Sequence, residues 1–271
     1  MSSIKADEIS IGEDVVFEEG VTIRGLDGAA RRVVVGDNVF IGKNTKIIVP
    51  EFRIGDYTKL HQNCFLYGYE ALQIGRNCWI GQNTVLDSIG GLDIDDNVGI
   101  GAMSQVWTHI RFGDVLEGCR FNQSKYMHIE RDAWLVGHCI VSPVRVGERS
   151  MAMVGAVITK DMEPNHIYGG CPAKDLTDKL GTQFREVTLG EKYTKLQEII
   201  SEFEQKHPEF KGAIKAVRTQ HEITDGVTCF DVSRRVYTKR STKAEVAFMK
   251  ENVPLIKFVP DGEPSFIQLH N

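Results

Sequence analysis

Between Val35 and Ala156 the chain repeats itself every six residues, and that period constrains the fold more tightly than any other property it has. Aliphatic residues open the units at Val35, Ile41, Ile54, Leu60, Ile74, Ile80, Ile94, Ile100, Ile129, Leu135 and Val146, with the small Ala152 closing the series. Four residues after each opener stands a small or β-branched residue: Val39, Thr45, Thr58, Cys64, Cys78, Thr84, Val98, Ser104, Ala133, Cys139, Ser150 and Ala156. Along an extended chain, positions an even number apart face the same way, so opener and small residue share one face, and that face is the interior. Three residues after the opener, Asn recurs at Asn38, Asn44, Asn63, Asn77, Asn83 and Asn97. Asn tolerates the left-handed backbone that a sharp corner demands. Each unit therefore reads as a short strand followed by a bend.

Pairs of units are followed by a third aliphatic side at Ile47, Leu66, Leu86, Val106, Val141 and Ile158, so three sides make one coil. Successive coils begin at 35, 54, 74, 94, 129 and 146, separations of 19, 20, 20, 35 and 17 residues. Coils stacked roughly 4.8 Å apart would build a triangular prism whose strands bond to those above and below. The extra residues always follow the third side, so one corner carries every insertion, as repeat proteins do on their working face. The largest insertion runs from Val106 to His128, and a weaker coil at Ile11, Phe17 and Ile23 caps the N-terminal end.

Composition narrows the partners. Thirty-seven Asp and Glu outweigh 32 Lys and Arg, a net charge of -5 that gives no reason to expect nucleic acid. No apolar run is long enough to insert in a membrane and the opening MSSIKADEIS is polar, so a cytoplasmic protein is expected. The six cysteines contain no CxxC pair, which supports neither a zinc site nor a disulfide framework.

The stretch IERDAWLVGHCIVSPVRVGERSMAMVGAVITKDMEPNHIYGGCPAK, from Ile129 to Lys174, resembles the terminal coils and closing proline loop of the hexapeptide-repeat acyltransferases, the family of galactoside, maltose and serine acetyltransferases. The resemblance covers roughly residues 8–180. It implies a mainly β fold, a left-handed parallel β-helix, and the handedness comes from the resemblance alone, since the general rule for parallel crossovers predicts the opposite. It also implies acetyl-CoA as co-substrate, a homotrimer with active sites between neighbouring prisms, and a small-molecule acceptor such as a sugar.

Acyl transfer from a thioester needs a base, and neutral imidazole titrates nearest cellular pH. His109 stands at the start of the largest insertion, where family members carry their catalytic histidine, although it comes slightly earlier than in galactoside-type enzymes. Those enzymes hold a substrate-binding asparagine where this chain has Gly81, which argues against a simple galactoside acceptor. Asn83, Asp87 and Trp107 are candidate acceptor contacts, and His128 and His138 are competing bases or acceptor contacts. His138 fills a corner slot otherwise held by Asn or Asp, a backbone state that explains it as well as function does. For CoA the resemblance points to Trp134, Gly137, Val154, Gly155, Ala156, Thr159 and Lys160, and Lys174 is a further candidate. Gly155 and Ala156 lack bulk that would keep their backbone from the pantetheine amides, and the two lysines can meet phosphate. No metal ligand is assigned.

The β-helix is expected to span residues 1–181 and an α+β extension residues 182–271. Tyr193, Leu196, Ile199, Ile200 and Phe203 fall on one helical face that should pack on the prism, and Thr242 with Glu245 reads as a capping box for a helix to about Asn252. Strands are expected at Val227–Val232, Arg235–Thr238 and Leu255–Val259. Arg234, Arg235, Lys239, Arg240 and Lys243 form the densest positive cluster, suited either to phosphate or to solvent. Two other functions use such a prism. A γ-carbonic-anhydrase-like metalloenzyme needs three converging histidines, whereas His109, His128 and His138 fall nineteen and ten residues apart. A non-catalytic scaffold needs neither the long insertion nor the CoA-like stretch.

Overall fold

The computed structural model of the chain describes residues 2–263 and residue 266, and these form two compact units, one built on Met1–Phe184 and one on Arg185–Pro264. The first is a stack of triangular coils. Among the described residues its three sides are parallel sheets of six, nine and eight strands, each sheet extended by one strand per coil and closed on the nine-stranded side by an antiparallel hairpin. This is the mainly β, stacked-sheet architecture expected of a left-handed β-helix.

The interior is the one that the period dictates. Every opener, every small residue four positions on and all six third-side residues are buried, with exposures of 0–2%. Aligned side chains stack directly: Ile54, Ile74, Ile94 and Ile129 are register partners on the first side, and Leu66, Leu86, Val106, Val141 and Ile158 on the third. Thr58 and Ser104 sit in the core because the oxygen finds backbone: Thr58 Oγ1 donates to the Gly75 carbonyl at 2.7 Å, and Ser104 Oγ accepts from Cys139 N at 3.2 Å. The N-terminal cap is a complete coil, with Ala6–Ile11, Val16–Phe17 and Thr22–Arg24 each paired to the coil above.

All twelve residues three positions after an opener have positive φ, from 51° at His138 to 73° at Gly155. Six are the asparagines, and the set includes Tyr57, Met103 and Arg149, for which this region costs about 1–2 kcal/mol that the stack must offset. Glycine after an opener has a different cause. A Cβ on Gly81 would lie 2.4 Å from Ala102 N, so the contact between coils excludes any side chain there.

The long insertion is an arm. After the strand Gln105–Val106 the chain leaves the prism, forms the antiparallel hairpin His109–Arg111 with Asn122–Ser124, and rejoins the stack at Met127–Ile129. Phe112 and Leu116 at its tip are almost wholly exposed.

In the second unit the helix Leu189–Lys206 spends its apolar face on its own unit: Phe203 meets Phe210 and Phe248 with ring centroids at 6.1 and 5.2 Å, and the helix packs on the strand Ile214–Val217, which the sequence pattern did not reveal. The reciprocal capping box lies at Thr188 and Glu191. At Thr242 only half of one forms, because the buried Glu245 carboxylate accepts instead from Thr228 Oγ1, Arg240 N and Ser241 N. The first two expected strands are shorter, Thr228–Asp231 and Val236–Tyr237, and the last is displaced to Val259–Pro260, sharing only Val259 with the expected Leu255–Val259. No helix among the described residues is long and apolar enough to cross a membrane.

Two expectations follow. At the exposed corner Asn63 (φ 57°), Asn63→Gly should leave stability within a few tenths of a kcal/mol while Asn63→Val should lower it by about 1–2 kcal/mol, read from urea midpoints. Burial pushes the Cys64 thiol up to about 11, and Cys64, Cys78, Cys139 and Cys229 are all at most 2% exposed, whereas Cys171 lies at the surface. Iodoacetamide at pH 7.5 should therefore label Cys171 well before those four, and peptide mass mapping that found Cys64 labelled equally fast would contradict the closed core.

Candidate functional site

Asp87 ends the third side of its coil, one register step below Trp107, and its side chain points out of the prism because Leu86 points in. It is nonetheless only 3% exposed, since the base of the arm folds over it. Its Oδ2 accepts from Thr108 N, from Thr108 Oγ1 (both 2.7 Å) and from His109 Nδ1 (2.8 Å). Thr108, fully buried, in turn accepts from Gly90 N at 2.9 Å, which ties the arm to the loop of the coil below. Three charge-assisted bonds offset the cost of burying this carboxylate.

The consequence for His109 is chemical. A carboxylate can only accept, so Nδ1 carries a proton, and in the neutral ring Nε2 keeps its lone pair. The ring is held, its side chain 23% exposed, and Trp107 stands edge-on at 6.2 Å with its indole donating to Gln105. His109 lines a cleft of about 470 Å³ together with Tyr69, Ile89, Arg111, Phe112, Gly113, Val115 and Asn122. Such an imidazole, oriented by an acid behind it and open to a cavity in front, is equipped to take a proton from a bound hydroxyl or amine.

The other sequence candidates fall elsewhere. Asp87, expected to touch an acceptor, is instead turned onto His109 and Thr108. Asn83 occupies the corner at the opposite end of the third side, with φ 57°. His128 projects from the first side beside Asp93 and lies 3.9 Å from Asp95, and His138 is an exposed corner residue with φ 51°. Neither histidine lines the His109 cleft. Among the described residues no three His, Cys, Asp or Glu side chains converge as metal ligands would.

The eight residues assigned to CoA divide into groups. Trp134, 45% exposed, lies over Gly99, where a Cβ would meet its ring at 3.0 Å. Gly137 and Gly155 meet at the next corner on adjacent coils, Gly155 N donating to the Gly137 carbonyl at 2.9 Å, with Val154 exposed beside them. Ala156 is a core residue whose N–H and carbonyl both bond within the prism, so it offers no free backbone group. Thr159 and Lys160 follow Ile158 at the arm's own corner, two coils above Trp107, and Lys174 is exposed on the closing hairpin Ala173–Asp175. The basic cluster of the second unit is partly committed, because Arg234 is held by Asp231 at 2.8 Å and by both oxygens of Asp261 at 2.8 and 2.9 Å.

Sequence reasoning missed Tyr69, Ile89, Arg111, Phe112 and Asn122. Only Arg111 left a signal, standing two residues after His109 and so on the same face of its strand.

Asp87→Ala should release the ring. Nitrogen-15 spectra of the wild-type protein at neutral pH should show His109 protonated at Nδ1, and the variant a mixture of tautomers; an unchanged spectrum would mean that Asp87 does not orient it.

No family model matches the chain. Galactoside O-acetyltransferase of Escherichia coli is 29% identical over 114 residues, 41% of this chain and 55% of that protein. The bifunctional protein GlmU of Listeria welshimeri is 24% identical over 203 residues, 62% of this chain and 39% of that one. Among solved structures, AntD, an N-acyltransferase from Bacillus cereus in complex with dTDP and coenzyme A, aligns with a TM-score of 0.41 at 14% identity, over 73% of this chain and 91% of that one. The chain spans between 35% and 55% of the length of the first curated relatives it matches.

Proposed function

We propose that this chain, similar in sequence to hexapeptide-repeat acyltransferases, is itself an acyl-CoA-dependent acyltransferase that moves an acetyl group to a hydroxyl or amine of a small acceptor, a sugar or nucleotide-linked amino sugar. The observation that carries the reading is the buried Asp87 carboxylate, bonded to Nδ1 of His109 at 2.8 Å, which leaves the opposite ring nitrogen for the cleft.

In this reading acyl-CoA supplies the activated carbonyl. Nε2 of His109 takes the proton of the acceptor oxygen or nitrogen as that atom forms its bond to the thioester carbon. The carbon–sulfur bond then breaks, and the proton on Nε2 passes to the departing sulfur, so CoA leaves as its thiol and the imidazole returns neutral. Asp87 stabilises the imidazolium that forms between these steps. The open space at Gly155, the exposed Trp134 and Val154, and the cations Lys160 and Lys174 suit an extended donor with phosphates. The assembly in this proposal is a homotrimer with the donor lying between prisms.

With acetyl-CoA and a panel of amino-sugar nucleotides and free sugars, product mass identifies the acceptor. His109→Ala should lower turnover by about two to four orders of magnitude with CoA affinity nearly intact. Equal turnover would remove His109 from the chemistry, and no binding at millimolar CoA by calorimetry would favour a scaffold.

A further inference from the structure

The acceptor cleft has a charge preference built into the arm. His109 and Arg111 are alternate residues of one strand, so their side chains leave the same face about 6.8 Å apart along the chain. The antiparallel partner sets Asn122 directly opposite Arg111, and both line the cleft with His109. Ile89, Phe112 and Val115 add apolar wall, and Tyr69 adds an uncharged phenol. Among the described residues no carboxylate lines the cleft, although the chain carries 37 of them, and no hydrogen bond or ion pair holds the Arg111 guanidinium. The nearest acid is spent: Asp87 Oδ2 takes three bonds and its Oδ1 accepts from Ile89 N at 3.3 Å. A free planar cation beside an amide donor, one strand repeat from the general base, is a fork for a carboxylate or phosphate.

We infer that Arg111, with Asn122, is a specificity residue that selects an anionic acceptor, one whose carboxylate or phosphate lies about one strand repeat from the atom to be acylated. The inference rests on the acyltransferase reading but has its own test. Arg111 binds the acceptor's anion equally in ground and transition states, so its loss appears in KM rather than in kcat.

Galactose, galacturonate, galactose 1-phosphate, glucosamine and glucosamine 1-phosphate are compared as acceptors with acetyl-CoA, and their binding is followed by quenching of tryptophan emission, Trp107 being the reporter beside His109. The anionic sugars should bind and react in preference to the neutral and cationic ones, and the uronate against the phosphates shows which anion is read. Arg111→Gln should raise KM for the preferred anion about tenfold to a hundredfold with kcat little changed, and Arg111→Lys should restore part of it. Affinity for CoA by calorimetry should not move. Indifference of binding and KM to Arg111→Gln, equal binding of neutral and anionic sugars, binding of none of them, or a loss confined to CoA would each overturn the inference. CoA binding that persists in those cases would leave the acyltransferase reading standing.

Discussion

The whole prism depends on a steric interlock. A bulky aliphatic side chain and a small one four residues later face the same interior, and the residue between them turns the chain through a left-handed corner. Where this pattern holds, each strand finds its hydrogen-bond partners in the coils above and below, and the core becomes a stack of like side chains. The corner is obligatory enough that Tyr57, Met103 and Arg149 adopt it against their own preference. Coil-to-coil contacts leave no room for a Cβ at Gly81, so the stack itself closes that position to any side chain.

That rigidity is what the site borrows. A histidine on a long exposed arm would sample many orientations, yet the arm is pinned at its root by Thr108, which bonds at once to Asp87 and to Gly90 in the coil below. The carboxylate that orients His109 belongs to the prism and the histidine to the insertion. Precision therefore comes from the scaffold, and the arm contributes Arg111, Phe112 and Asn122 to the cleft wall.

Much of this was legible beforehand. The period located twelve corners and the core face of every coil, and the unequal coil spacing marked the corner where His109 lies. Asp87 reads from the sequence as an outward residue open to an acceptor, because such a position on a strand normally meets solvent or ligand, whereas the folded arm covers it. Ala156 fitted the CoA pattern, but its backbone groups are consumed by the ladder. In the second unit the helix Leu189–Lys206 was visible from its apolar face, while the short strand Ile214–Val217 was not, since four residues carry too little periodicity to declare themselves. Arg234 reads as available for phosphate because Asp261, which joins the neighbouring Asp231 in holding it, lies 27 residues away.

By itself the amino-acid sequence determined the coil, because a six-residue repeat of large and small side chains has one way to bury both, and that is a local property of each unit. It also determined that a single corner would be decorated. Only the tertiary structure decided which side chains meet at that corner. The pairing of Asp87 with His109, the closure of the cleft by Tyr69 and Ile89 and the placing of Arg111 beside the imidazole depend on how the arm folds back on neighbouring coils, and the geometry of that return follows no period.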